Sequence, residues 1–194
     1  MVLIGGVSIL DIKGDKMIYY KDEDIKIRDI NEKDVITLFS WSVDEELHKH
    51  DPKPMPTNSK ELVDECTCYC KRFNEEIICE NADFRNYKYF IITNEEDKLI
   101  GFVNFFSINK EKKQGEMGIC IGDKRYWNKG VAFRSVKNVI KHIFSEMDID
   151  RIYIETGEKN EGALRLFKKL NFTKCGEYLE DDNFKFIVME LKKS

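Results

Sequence analysis

The clearest pattern of apolar and polar positions lies in residues 116–147. Residues 117–121 are apolar and β-prone, and Gly122 and Asp123 interrupt them. From Gly130 onward, apolar side chains recur at helical spacing. They are Ala132, Val136, Val139, Ile140, Ile143 and Met147. The pattern therefore predicts a strand, a tight turn and a helix, in that order.

Capping residues predict the two helices of the N-terminal half. Asn31 opens a helical pattern over residues 31–42, and Asn58 opens another over residues 58–79. An acidic residue follows each asparagine three positions later, as in a capping box. The three prolines all lie between these helices, so we expect an extended loop there.

Shorter apolar runs predict the remaining strands and a last helix. The strands fall at residues 87–93, 99–108, 151–155 and 184–191. Residues 160–172 read as a short helix with one apolar face, and Asn171 can end it in a left-handed conformation. A helix connects the strands at 117 and 151, so these two are expected to be parallel in an otherwise antiparallel sheet.

The first 24 residues read as an extension. Residues 8–13 and 16–21 flank Gly14-Asp15, a two-residue hairpin signal. Residues 1–10 are apolar but have no basic leader and no small-residue cleavage site, so we interpret them as a strand and not as a signal peptide. The remaining residues, 25–194, are predicted to form one domain.

Composition agrees with one soluble domain. The 194 residues are 35% charged and 42% hydrophobic, which indicates a globular chain. A net charge of -4 argues against broad electrostatic binding to nucleic acid and favours a cationic partner. No run reaches the ~20 apolar residues of a membrane helix. We therefore expect a cytoplasmic protein, as a monomer or as a homodimer joined through the edge hairpin.

The cysteines do not predict a metal centre. Cys66, Cys68 and Cys70 lie on the second predicted helix, where the middle thiol points away from the other two. The sequence has no Cys-x-x-Cys pair. Reduced, structural thiols are the interpretation that fits an unsecreted chain.

Residues 128–132 form a candidate anion site. The first turn of a helix presents unpaired backbone N–H groups and the positive end of the helix dipole. Gly130 and Ala132 leave room for close approach, and Asn128 adopts left-handed backbone conformations cheaply. Positive charge is contributed nearby by Lys124, Arg125 and Lys129. These features indicate a cofactor that carries phosphate.

Two motifs resemble the GNAT superfamily of acyl-CoA N-acyltransferases. Residues 127–132 match its Arg/Gln-x-x-Gly-x-Gly/Ala signature except at the first position, where Trp127 is similar to the branch of ribosomal-protein N-terminal and spermidine acetyltransferases. Residues 160–172 resemble that branch's second motif, with Phe167 where many members have tyrosine and Asn171 in place of glycine. Residues 25–34 and 184–191 look like the family's first and last strands.

The resemblance implies an α/β fold of the α+β type: a central mixed, mostly antiparallel sheet with flanking helices. It also implies acetyl-CoA as cosubstrate, bound where the two parallel strands splay apart. Backbone groups at the end of the first strand would pair with pantetheine, the helix start would hold the pyrophosphate, and the last helix would line the far side. The residues so assigned are Ile119, Cys120, Ile121, Trp127, Asn128, Lys129, Gly130, Val131, Ala132, Asn160, Ala163 and Phe167.

The implied reaction is direct attack of a primary amine on the thioester. An α-amine is about 14% neutral at pH 7 and a lysine-like amine only about 0.04%, so an alkylamine acceptor needs a base. By the resemblance, Glu116 stands where family members often carry a glutamate, and it is either this base or a solvated carboxylate at a strand end. Because Phe167 has no hydroxyl, the candidate proton donors are Tyr126, Tyr153 and Tyr178.

The acceptor is the least determined part of the prediction. A protein N-terminus, a polyamine or another small amine would fit, in a pocket built by the first two helices and the proline loop. Its candidate residues are Trp41, Glu45, Glu46 and His50. Two alternatives remain at this point: a non-catalytic acyl-CoA-binding or regulatory module, suggested by Phe167 and Asn171, and a protein-interaction domain that kept only the fold.

Overall fold

Eight strands form one twisted sheet in the order β1-β2-β3-β4-β5-β6-β8-β7 in the computed structural model, which describes residues 17–50, 52–78, 85–180 and 184–193. The strands are β1 Ile18–Lys21, β2 Lys26–Asp29, β3 Lys88–Thr93, β4 Leu99–Asn109, β5 Gln114–Cys120, β6 Arg151–Gly157, β7 Thr173–Glu180 and β8 Phe184–Lys192. The helices are α1 Val35–Ser42, α2 Ser59–Phe73, α3 Val131–Glu146 and α4 Glu161–Lys169. The predicted class is confirmed: a mixed, mostly antiparallel sheet with flanking helices.

The contact between β5 and β6 is parallel, as the connecting helix predicted, and it is short. Gln114, Gly115 and Glu116 pair with residues 151–153, and the pairing stops there. Beyond that point β5 stays paired with β4 through Cys120, whereas β6 stays paired with β8 through Gly157. The two neighbouring strands therefore separate after Glu116 and leave a gap in the middle of the sheet.

Apolar clusters cover the two faces of the sheet. On one face, side chains of α3 and α4 such as Val136, Ile143 and Phe167 pack against alternate strand residues. On the other face, α1 and α2 pack over the first half of the sheet. Because side chains alternate along a strand, the cross-strand register places Glu116 on the face that carries α1 and α2.

A buried ion pair fixes the start of α1. Arg28 on β2 donates to both carboxylate oxygens of Asp34 at 2.7 and 2.9 Å, and both side chains are almost fully buried. Asp34 also accepts from the Asn31 amide at 2.8 Å, which completes the predicted capping box. The first turn, Glu32–Asp34, is a 3-10 helix, so the predicted helix over residues 31–42 is confirmed with a tighter start.

Asn58 caps α2 by accepting from two backbone amides, as predicted. The helix becomes a π-helical turn at Asn74–Ile78, which the sequence pattern did not predict. Residues 52–57, which precede α2, have no regular structure, in agreement with the predicted proline loop. Among the described residues, no cluster of His, Cys, Asp and Glu could hold a metal ion.

Two regions depart from the predicted element list or go beyond it. The first arm of the predicted N-terminal hairpin lies outside the described residues, while its second arm forms β1, antiparallel to β2. The sequence pattern missed β7, an edge strand with no buried side chain that pairs with β8. In the described part of the chain, no helix has the length and apolar character needed to cross a bilayer.

Candidate active site

The backbone of β5 is half-paired where the sheet opens. Ile119 and Cys120 pair with β4 on one side, and no strand of the described residues pairs with them on the other. Ile121 follows directly, and its carbonyl accepts a hydrogen bond of 2.7 Å from the indole N–H of Trp127. Trp127 thus ties the end of β5 to the turn that leads into α3.

The start of α3 is an open cradle of backbone amides. Gly130 is the N-cap with φ of 74°, and no side chain caps this helix end. Asn128 has φ of 58°, the left-handed conformation expected for it. The Arg134 amide bonds to the Gly130 carbonyl at 3.1 Å, so Val131 and Ala132 precede the first intrahelical bond. A Cβ added at Gly130 would meet nothing within 4 Å, which leaves space for an anionic group.

The predicted cations around the cradle have different partners. Lys124 forms ion pairs of 2.9 and 2.8 Å with Asp44 and Glu46, and Arg125 pairs with Asp123 at 2.6 Å. Lys129 lies 5.7 Å from the centre of the Tyr126 ring. Of the three, Lys129 is the one that no carboxylate of the described residues engages.

The residues of the second motif shape α4. Asn160 caps the helix by accepting from the Ala163 amide at 3.2 Å. Phe167 is 3% exposed and packs against Phe172 with ring centres 5.0 Å apart. Asn171 has φ of 67°, which confirms it as the left-handed residue after the helix. Packing is the contact that the structure shows for Phe167, and Ala163 is partly buried at the same cluster.

Glu116 lies at the point where β5 and β6 separate. It is the last residue of β5 that pairs with β6, directly opposite Tyr153. Burial, and then the nearby Glu155 carboxylate, raise the pKa of Glu116 to about 7. No cation of the described residues forms an ion pair with it. A carboxylate with this pKa is suited to accept a proton near neutral pH.

Two of the candidate tyrosines belong to the same neighbourhood. Tyr153 lies beside Glu116, and Tyr178 donates a hydrogen bond of 2.5 Å to Oε2 of Glu155. Tyr126 lies in the 3-10 turn Lys124–Tyr126, ahead of α3. Sequence reasoning missed Glu155, although its position two residues after Tyr153 on a predicted strand places the two side chains on one face.

A polar pair overlies the unpaired part of β5. Asn104 donates to the Tyr87 hydroxyl at 2.7 Å, and its own Oδ1 is buried without a partner among the described residues. A Cβ at Gly118 would lie 2.4 Å from that oxygen, so glycine is required there. Tyr87 also lines a cavity of about 370 Å³ together with Arg72, Phe73, Glu76, Ile77, Asn86 and Tyr89.

The end of α1 and the loop that follows it reach the ends of both separated strands. A Cβ at Gly122 would lie 2.0 Å from the Trp41 ring, and the His50 carbonyl is 3.1 Å from the Cβ position of Gly157. Glu46 is engaged by Lys124, whereas Glu45 is exposed. The predicted acceptor residues Trp41 and His50 are therefore brought close to the gap.

Cys120 is not a nucleophile in this arrangement. Burial and the Asp44 carboxylate raise the pKa of Cys120 to about 12. The thiol is therefore protonated at neutral pH, which disfavours an acyl-cysteine route.

Comparison with known families decides the affiliation. Residues 24–173 match the model described as acetyltransferase (GNAT) domain. The chain belongs to the GNAT family. This agrees with the two motifs at residues 127–132 and 160–172 and with the separated parallel strands.

Individual relatives support the fold. The uncharacterized N-acetyltransferase p20 of Bacillus licheniformis is 30% identical over 89 residues, 46% of this chain and 49% of p20. The chain thus aligns with about half the length of such curated relatives. Apo RimL, a ribosomal L7/L12 alpha-N-protein acetyltransferase, superimposes with a TM-score of 0.69 at 16% identity, over 92% of this chain and 95% of RimL. Spermidine N-acetyltransferase from Vibrio cholerae, solved with CoA and spermine, superimposes with a TM-score of 0.69 at 17% identity. The match covers 87% of this chain and 95% of the Vibrio cholerae chain.

Proposed function

We propose that this protein is an acetyl-CoA-dependent N-acetyltransferase that acts on a primary amine by direct transfer. The observation that carries the proposal is the gap between β5 and β6, which has an open amide cradle at one end and Glu116 at its origin. Family membership gives the reaction class, and these residues supply what that class requires.

Residues of the cradle fit the phosphates of the cosubstrate. Asn128, Lys129 and Gly130 are exposed, no side chain caps the helix start, Gly130 leaves open space, and Lys129 adds a positive charge that forms no ion pair with a described residue. The half-paired backbone of Ile119 and Cys120 offers hydrogen bonds to an extended amide chain, as an added strand would. Asn160, Ala163 and Phe167 border the same region from α4, the first by fixing the helix start and the last by packing.

Acetyl-CoA supplies a thioester carbonyl. Glu116 accepts the proton of the amine, directly or through a water molecule. The backbone amides near Ile119 and Cys120 donate to the oxygen that becomes negatively charged during attack. Phe167 gives no proton, but a thiol pKa near 8.5 makes the thiolate a tolerable leaving group.

The acceptor is a cation before it reacts. Glu116 and Glu155 give the open face a negative character, and the chain carries a net charge of -4. A polyamine is the acceptor class that these charges favour, and the Vibrio cholerae relative is a spermidine acetyltransferase. A protein N-terminus is the second class, which the similarity to RimL supports.

The test is acetyl transfer by the purified chain. Incubation with acetyl-CoA and a panel of polyamines, small alkylamines and peptides should release free thiol and yield a product 42 Da heavier than one of the amines. Absence of product with every acceptor would reject the proposal. Tight CoA binding under those conditions would then favour the non-catalytic acyl-CoA-binding module.

A further inference from the structure

The face around Glu116 holds a second carboxylate that the reaction, as outlined so far, does not use. Glu155 lies two residues beyond Tyr153 on β6, so it projects to the same side of the sheet as Glu116. Tyr178, from β7, reaches across β8 and donates to Glu155 at 2.5 Å. The strand β7, which has no buried residue, thus places the Tyr178 hydroxyl at the edge of the gap.

Glu116 and Glu155 differ from the other acidic groups nearby in their partners. Glu190, on the adjoining strand, is neutralised by Arg151 at 2.6 Å and by Lys192 at 3.1 Å. Glu177 is held by Lys174 and Lys185. Glu116 and Glu155 have no ion pair with any of the described residues. Two carboxylates without an ion-pair partner among these residues are available to a positive ligand.

The groups that face Glu116 are phenols and carboxyls. Tyr153 and Glu155 approach it from β6, Tyr178 from β7, and Tyr87 from the segment before β3. Arg151 is the nearest cation on β6, and its guanidinium lies 5.0 Å from the Tyr153 ring and is engaged by Glu190. On α2, Arg72 acts electrostatically on Tyr87 but forms no ion pair with Glu116 or Glu155. A bound cation would therefore balance the negative charge of these carboxylates.

We infer that Glu155, oriented by Tyr178, is a second acceptor-binding residue that holds the protonated amine beside Glu116. The acceptor enters as an ammonium and lies between the two carboxylates. Its N–H bond then breaks as the proton passes to Glu116, and the neutral amine with its freed electron pair attacks the thioester carbon. A C–N bond forms, the C–S bond breaks, and CoA leaves as a thiolate, which takes up the second proton that the nitrogen loses. Glu155 takes no part in the proton transfer and is a specificity residue for cationic acceptors. The inference rests on the proposed function.

Glu155→Gln tests the inference with two readouts. Removing one charged contact should raise KM for the amine about tenfold, corresponding to ~1.4 kcal/mol, and leave KM for acetyl-CoA unchanged. The acidic limb of the pH profile should move to lower pH, because the like charge that helps raise the pKa of Glu116 is gone. The shift of the pH profile reports that Glu155 lies close to Glu116, whereas the rise in KM for the amine alone reports acceptor binding, and a merely structural role for Glu155 would leave that KM unchanged.

Two further variants sharpen the result. Tyr178→Phe should raise KM for the amine in the same direction but by less, since the carboxylate stays and only its orientation is lost. Glu177→Gln is the matched control, because it removes a carboxylate from the same strand that lysines already neutralise, and both constants should stay at wild-type values.

An NMR titration of ¹³C-labelled glutamate carboxyls gives a readout that needs no turnover. The midpoint of Glu116 should fall in Glu155→Gln and stay in place in Glu177→Gln. An unchanged KM for the amine in Glu155→Gln would overturn the inference while leaving the proposed function intact. An inactive wild type with every acceptor would instead reject the function itself.

Discussion

Glu116 is the residue on whose carboxyl group both catalysis and the pH dependence of stability should depend. Its raised pKa of about 7 means that kcat/KM should rise with pH and level off above that value. Glu116→Gln should lower kcat about 100-fold or more and remove this acidic limb. Steady-state rates between pH 5.5 and 9 measure both effects. A variant with the full rate and the same pH profile would exclude Glu116 as the base.

The same group should destabilise the fold at high pH. Because the pKa of Glu116 is higher in the folded than in the unfolded chain, the unfolding free energy falls as pH rises from 4.5 to about 7. At pH 8 Glu116→Gln should therefore be more stable than wild type by about 1–2 kcal/mol. This is less than the full difference in pKa would give, because Glu116 is partly exposed and solvent screens its charge. At pH 4 both forms are uncharged and should unfold alike. Urea titrations at the two pH values test this, and equal stability at pH 8 would contradict it.

Glu116 could be identified as the candidate base from the sequence, but the environment that sets its pKa could not. Family resemblance identified a glutamate at the start of the predicted strand. Its pKa depends first on burial and then on Glu155, and the position of Glu155 depends on the register of β6 against β5 and on the hydroxyl of Tyr178. Those are contacts between distant parts of the chain, which the local pattern around residue 116 does not contain.

The turn and the first residues of α3 are the element on which cosubstrate binding should depend. Gly130→Glu and Gly130→Gln share the backbone strain of a side chain at φ of 74°, about 1–2 kcal/mol, and differ by one charge. Glu should weaken CoA binding about tenfold more than Gln, because its carboxylate meets the phosphates. Calorimetric titration with CoA measures the difference. Equal affinities would show that no phosphate lies at this helix start.

The start of α1 should depend on the buried pair of Arg28 and Asp34. Asp34→Ala removes the bidentate partner of the buried guanidinium, leaves it with the half-exposed Asp97 at 3.2 Å, and should cost about 3–5 kcal/mol of unfolding free energy. Glu96→Ala breaks an exposed pair with Lys98 and should cost far less, because solvent screens that pair. Urea denaturation compares the two. Equal losses of unfolding free energy in the two variants would mean that burial does not increase the contribution of Asp34 to stability.

Elements were predicted well where their determinants are local. The sequence of β5, the turn and α3 contains its own apolar runs, its glycine and its left-handed asparagine. The helix caps at Asn31 and Asn58 are likewise readable from neighbouring residues. The edge strand β7 was missed because none of its side chains is buried, so it has no apolar pattern and exists through its pairing with β8.

For the molecule as a whole, charge should affect the two substrates in opposite ways. The chain carries -4, and its acceptor face holds two carboxylates without an ion-pair partner among the described residues. Raising the ionic strength from about 10 to 150 mM shortens the Debye length from about 30 to 8 Å, so KM for a cationic amine should rise. KM for the anionic cosubstrate should stay level or fall. A KM for the amine that does not change with salt would contradict an electrostatic acceptor site.

Fold class and the order of elements followed from the sequence with the help of the family resemblance. The opening of the sheet was expected from the resemblance alone, and the structure gives it a physical form in the β5–β6 pairing that stops at Glu116. The acceptor side could not be predicted, because Trp41 of α1 meets Gly122 and the following loop meets Gly157 through contacts that link separate parts of the chain.

A crystal structure with acetyl-CoA bound tests the central claim most directly. The account predicts the pyrophosphate on the amides of residues 128–132, the pantetheine along Ile119 and Cys120, and the thioester near Glu116. A complex in which the cosubstrate lies elsewhere and both the cradle and the gap contain only solvent would contradict it.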